Sequence, residues 1–181
     1  MRLFIKTIFF TLLTIPLMAQ NNILFMSATE IAAKIRKKEV TSYEVVTAYF
    51  EQIDKYNQTY NAVVTLDKTE ALKRAKEADI ALSKGEIWGK LHGLPITIKD
   101  NYKTKGLRTT SGYKPLTNNV PDTDAEIVKL LISEGAIIIG KTNLSVLAMD
   151  MQSDNPIFGK TNNHGIPLKP VEEAAEVVQQ L

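Results

Sequence analysis

Apolar positions recur along this chain at two spacings, one helical and one extended. Ile31 and Ile35 lie one turn apart, and Val45, Val46, Tyr49 and Ile53 form a second stripe that predicts a helix to about Lys55. Ala71, Leu72, Ala75, Ala78 and Leu82 form a third, and Ile127, Val128, Leu130 and Leu131 a fourth, expected to be the buried face of its helix. Start signals precede them. Ser27–Glu30, Thr41–Glu44 and Thr123–Glu126 each read as a capping box, in which a hydroxyl and a carboxylate satisfy each other's backbone amides. Asp67 can cap the helix that holds Glu70. Gly85 and Gly135 are the expected stops.

Between these helices the period shortens to two. Leu94, Ile96 and Ile98 alternate with Pro95, Thr97 and Lys99, which predicts a strand with separate faces. Residues 61–66 are rich in β-formers and predict another strand. Ala136–Ile139 is a continuous apolar run, as expected of a parallel strand covered on both faces. Strand 94–98, helix 125–134 and strand 136–139 make a βαβ unit, so the predicted class is α/β. The stretch from Asn101 to Val120, rich in Gly, Thr, Lys and Asn, is long enough for a functional loop.

The two ends read as separate objects. Residues 1–19 have a short basic start at Arg2 and Lys6, an apolar run from Ile8 to Leu17, and Ala19 ahead of Gln20. That is the layout of a secretory signal peptide cleaved near Ala19–Gln20, and it predicts an exported protein. An uncleaved anchor is the alternative, although a membrane span needs about 20 apolar residues. This segment is the only expected contact with a membrane. Residues 20–163 form the expected domain. In residues 164–181, Pro170 and the apolar positions Val171, Ala174, Ala175, Val178 and Leu181 predict an amphipathic helix.

Composition narrows the chemistry. Charged residues are 23% of the chain and the net charge is only +2, which argues against a nucleic-acid partner. The chain has no cysteine, which excludes disulfides, thiolate catalysis and Cys-ligated zinc. Of its 2 histidines, His92 reads as a structural or pocket-edge residue. Neither a metal nor a cofactor is expected.

Lys99 is the candidate catalytic residue. It ends an apolar strand, where partial withdrawal from water favours the neutral amine that a general base requires. The competing reading is a strand-end lysine that reaches solvent or pairs with Asp100. A second lysine lies in Gly135–Thr142, which matches the phosphate-loop pattern G-x-x-x-x-G-K-[ST]. Here a helix precedes the first glycine and a strand fills the interval, the reverse of what phosphate cradling needs, so nucleotide binding is only a remote alternative.

Gly89–Asn101, Gly106–Gly112, Asp124–Ala125, Gly135–Ala136, Gly140–Asn143 and Asn155–Asn163 stand in an order that resembles the amidase signature family, from about Ser27 to Asn163. The resemblance implies the N-terminal part of that family's mixed sheet covered by helices. It also implies hydrolysis of carbon–nitrogen bonds in a small, linear amide, with Lys99 as the base of a Ser–Ser–Lys triad. The family's serines lie in Gly/Ser-rich segments after the last of these motifs. Here Asn163 is followed by His164–Pro170, and no such segment occurs. Ser111, Ser145 and Ser153 do not match the nucleophile's position. The chain is therefore expected to be truncated and inactive alone, or to be a non-catalytic binding module. An internal deletion or a misjoined end would account for residues 164–181.

Overall fold

The structure, a computed structural model, describes residues 23–163. The signal peptide expected at 1–19 and the helix expected at 171–181 lie outside the described residues. Helix α1 spans Ala28–Arg36 and α2 spans Ser42–Tyr60, each opened by the capping box read from its sequence. At α2, the Glu44 amide donates to Thr41 Oγ1 at 3.0 Å and the Thr41 amide donates to Glu44 Oε2 at 2.8 Å. Helix α2 continues beyond Lys55 to Tyr60, because neither Gly nor Pro interrupts it before Asn61. Asn61 ends it in the left-handed region, which asparagine tolerates well. Helix α3, Lys68–Ser83, is capped by Asp67. From α3, Asp79 accepts the Ser42 and Tyr43 amides, so one helix satisfies the open first turn of another.

Strands β1 (Val63–Leu66), β2 (Pro95–Lys99) and β3 (Ile137–Thr142) form one mixed sheet in the order β1–β3–β2. Strand β3 pairs antiparallel with β1 and parallel with β2. Helix α4, Glu126–Ser133, joins β2 to β3 and completes the expected βαβ unit. Strand β3 runs three residues past the apolar run, through Gly140, Lys141 and Thr142. Gly140 permits this: a Cβ there would lie 2.4 Å from the Thr65 carbonyl of β1.

Helices α2 and α3 pack on the sheet through Val46, Phe50, Ile53, Ala71 and Ala75, which meet Val63, Ile137 and Ile139. A second cluster joins α1 to this body through Ile31, Ile35, Val45, Leu82 and Leu94. Full burial of aliphatic side chains of this size contributes about 1.5–3 kcal/mol each.

Helix α4 departs from two expectations. Its N-cap is Ala125, two residues past the Thr123 of the expected capping box, and alanine has no side-chain oxygen to cap with; the neighbouring Asp124 accepts the Lys105 amide at 2.7 Å. Its expected buried stripe is also narrower. Val128 is fully buried, but Ile127 and Leu130 are 46% and 60% exposed. Among the described residues, α4 is covered on one side only.

Gly93 sets the entry to β2. It has φ +76°, and a Cβ there would lie 2.0 Å from Ser42 Oγ. That close approach lets the Gly93 amide reach the Gly135 carbonyl at 2.9 Å, while the Leu91 amide reaches the Glu134 carbonyl at 2.8 Å. The starts of β2 and β3 are thereby held side by side, and their carboxyl ends emerge together.

Candidate active site

Lys99 is the last residue of β2 and is paired with Thr142, the last residue of β3. It stands where both parallel strands deliver their following loops, the edge at which open α/β sheets place their sites. Its side chain is half-buried and, among the described residues, makes no hydrogen bond or ion pair. The pairing of Lys99 with Asp100 considered from sequence does not form.

Asp100 is instead fully buried and faces the next loop. Its Oδ2 accepts the Thr110 amide at 3.0 Å and the Thr110 hydroxyl at 2.5 Å. Its carbonyl accepts the Ser111 amide, and its amide donates to Thr142. Burial pushes its carboxyl above the ordinary carboxylate range, against the pull of Thr110, Lys141 and Arg108. Its Oδ1 is buried without a partner.

Lys141, whose candidate role from sequence was phosphate binding, has no solvent exposure. Its Nζ donates to the Tyr102 carbonyl at 2.5 Å and to the hydroxyls of Thr104 and Thr109 at 3.0 Å each. Burial lowers its pKa to about 8, although Asp100 and Asp124 favour the charged form. Residues 137–142 are paired in β3, so Gly135–Thr142 forms no phosphate-cradling loop. The nucleotide alternative is corrected on that geometry. The buried lysine could have been suspected from sequence, since Lys141 closely follows an apolar run.

The loop after β3 is fixed by amide side chains. Asn143 Nδ2 donates to the Gly159 carbonyl and to Thr161 Oγ1. Asn155 Nδ2 donates to Asn143 Oδ1 at 2.7 Å, and its Oδ1 accepts the Ile157 and Phe158 amides. Ser145 Oγ is bound to both the carbonyl and the amide of Asp150. Backbone strain collects where this loop meets the one after β2: Ser111, Leu147 and Ala148 all have φ between 54° and 57°, and the Leu147 amide donates to the Ser111 carbonyl. Ser153 is buried.

His92 is structural. It is buried, its Nδ1 accepts the Trp88 amide at 3.1 Å, and its Nε2 lies 3.2 Å from the Ala78 carbonyl. That carbonyl can only accept, so the proton sits on Nε2. Burial lowers the pKa of His92. An apolar cavity of about 560 Å³ lies along the start of β2, between Ile31, Tyr49, Leu94 and Ile96. Lys99 does not line it.

A family model described as Amidase matches residues 44–167. A glutamyl-tRNA(Gln) amidotransferase subunit from Carboxydothermus hydrogenoformans is 41% identical over 139 residues, which cover 77% of this chain and 29% of that protein. The protein of the same name from Lachnospira eligens is 42% identical over 142 residues, 78% of this chain and 30% of its own length. Among solved structures, a fatty acid amide hydrolase superposes with TM-score 0.75 at 32% identity, covering 80% of this chain and 26% of the other. The peptide amidase of Stenotrophomonas maltophilia superposes with TM-score 0.70 at 31% identity, covering 76% and 30%. The chain thus spans about 30% of the length of the curated relatives it matches.

Proposed function

Because this chain belongs to the amidase family, we propose that residues 23–163 form the lysine-bearing part of a site that hydrolyses carbon–nitrogen bonds of small, linear amides, with Lys99 as its general base. The position of Lys99 carries this reading. It ends β2 beside the end of β3, half-buried and uncommitted to any ion pair among the described residues. An amine so placed can accept a proton from a hydroxyl once neutral.

Acyl transfer also needs a nucleophile and oxyanion donors. Ser145 is committed to Asp150, and the sequence holds no Gly-Gly-Ser-Ser-Gly-Gly run. We therefore propose that the 181-residue chain is inactive alone and that the serines must come from sequence outside it. A fluorophosphonate probe tests this. Labelling of a serine in the 181-residue chain would overturn the inactive reading, and absence of labelling is expected. A binding module that keeps part of the pocket is the second reading. The committed Ser145 favours it, and amide binding without turnover would establish it.

The similar proteins named as amidotransferase subunits extend the proposal to a partner chain. Light scattering on the tagged chain, purified from cell extracts, tests this, and a mass above that of the chain alone is expected. Export remains part of the proposal on the sequence of residues 1–19. N-terminal sequencing is expected to find Gln20, and an intact Met1 on cytoplasmic protein would exclude it.

A further inference from the structure

Lys141 Nζ is enclosed by three acceptors, two of them hydroxyls whose own protons are already spent. Thr104 Oγ1 donates to the Tyr102 carbonyl at 3.2 Å, and Thr109 Oγ1 donates to the Leu107 carbonyl at 3.0 Å. Both hydroxyls therefore turn lone pairs toward Nζ, and the Tyr102 carbonyl supplies the third acceptor. An ammonium has three N–H donors and no acceptor, so donors and acceptors match one to one. The three partners lie 32 to 39 residues away from Lys141, in the loop that follows Lys99. The backbone of Tyr102 links the two lysines: its amide closes a turn onto the Lys99 carbonyl at 3.1 Å while its carbonyl, in the next peptide group, holds Lys141.

We infer that Lys141 is a positioning residue whose buried ammonium clasps residues 102–109 to β3 and so sets the turn that carries Lys99. Its bearing on catalysis rests on the reading of Lys99 as base, whereas the clasp itself does not. The charged groups acting on it are the carboxylates of Asp100, from the end of β2, and Asp124, before α4. Arg108 acts on the same Asp100 from the loop. An apolar side chain of equal length would fill the space, take the ammonium donor from all three acceptors and leave the Tyr102 carbonyl with only the Thr104 hydroxyl.

The test uses the full 181-residue chain and amide hydrogen exchange. In Lys141→Met, exchange at Tyr102, Leu107, Thr109 and Ser111 is expected to accelerate about 10- to 100-fold, the factor that goes with a charge-assisted hydrogen bond. Exchange in α2 should stay as it is. The chain has no cysteine, so Lys141→Cys can be alkylated with bromoethylamine while unfolded and then refolded. This rebuilds an ammonium at nearly the original length, and slow loop exchange should return. Unchanged exchange in Lys141→Met, or a loop that aminoethylation does not restore, would overturn the inference.

If the variants fail to fold, the wild-type chain decides. A hydrogen-bonded Nζ gives a slowly exchanging ammonium signal at low pH, and the Tyr102 amide shift should titrate together with it. No such signal, or a Tyr102 shift indifferent to it, counts against the clasp. Lys99→Ala should leave loop exchange untouched. Failure of Lys99 as a base would thus appear in turnover alone, and failure of the clasp in exchange.

Discussion

Asp100 and Thr110 are joined twice, the Thr110 amide and hydroxyl both donating to one carboxylate oxygen while the other oxygen stays buried and unpartnered. This pair of hydrogen bonds holds the loop after β2 against the strand end. Thr110→Val keeps the shape and removes the hydroxyl donor. A loss of about 1–3 kcal/mol of stability is expected in denaturant unfolding, because a buried charged acceptor loses a donor.

Asp100 also gives a dependence on acid. Its carboxyl titrates above the ordinary range when folded, so between that folded value and 3.8 the native state binds more protons than the unfolded chain. Its contribution to stability therefore rises as pH falls through that window. Urea unfolding of wild type and of Asp100→Asn, from pH 7 to pH 4, isolates the effect. The difference between the two should shift in favour of wild type on acidification. A constant difference would show that Asp100 does not titrate there.

Lys141 works in the opposite pH range. Its pKa is about 8 in the folded chain and 10.5 otherwise. Between these values the unfolded chain holds the extra proton, so this residue's contribution to stability increases with pH. The gain has an upper bound of about 3 kcal/mol. The stability of wild type relative to Lys141→Met is expected to grow from pH 8 to pH 10, measured by urea midpoints at matched salt.

Gly93 and Gly106 separate backbone strain from collision. Both have positive φ, but a Cβ at Gly106 meets nothing within 4 Å, whereas one at Gly93 lies 2.0 Å from Ser42 Oγ. Gly106→Ala should cost about 1 kcal/mol, the usual cost of the left-handed region. Gly93→Ala should cost clearly more. Ser42→Ala removes a buried, unpartnered hydroxyl and is expected to be nearly neutral alone. It should recover part of the Gly93→Ala loss in the double variant, and strict additivity would refute the proposed contact.

The base is tested by grafting. Residues 23–163 replace the matching stretch of a full-length relative, and amide turnover is compared with and without Lys99. Lys99→Ala should lower kcat by about 100- to 10,000-fold. Lys99→Arg should not rescue it, since a guanidinium stays protonated. In the 181-residue chain, neither substitution is expected to change anything. Turnover by that chain which vanishes in Lys99→Ala would show that one of its own serines serves.

Much of the scaffold was legible in the sequence because its determinants are local. A capping box is closed by residues three positions apart, so Ser27–Glu30 and Thr41–Glu44 suffice to start α1 and α2. The alternation from Leu94 to Lys99 and the run from Ala136 to Ile139 set the strands of the βαβ unit, and with them the α/β class and the place of Lys99 at a strand end. What tertiary structure alone decided depends on groups distant in sequence. Thr123–Glu126 has the composition of a capping box, but with Asp124 bonded to the distant Lys105 amide the helix starts later, on Ala125, which has no oxygen to cap it. Ile127 and Leu130 have the spacing of a buried stripe, yet exposure depends on what covers a helix, and periodicity cannot specify that. The two lysines show the difference most directly. Lys99 is identified by the strand that it ends. Lys141 owes its burial and its three acceptors to a loop more than thirty residues earlier, which reaches it only because β2 and β3 lie parallel and side by side.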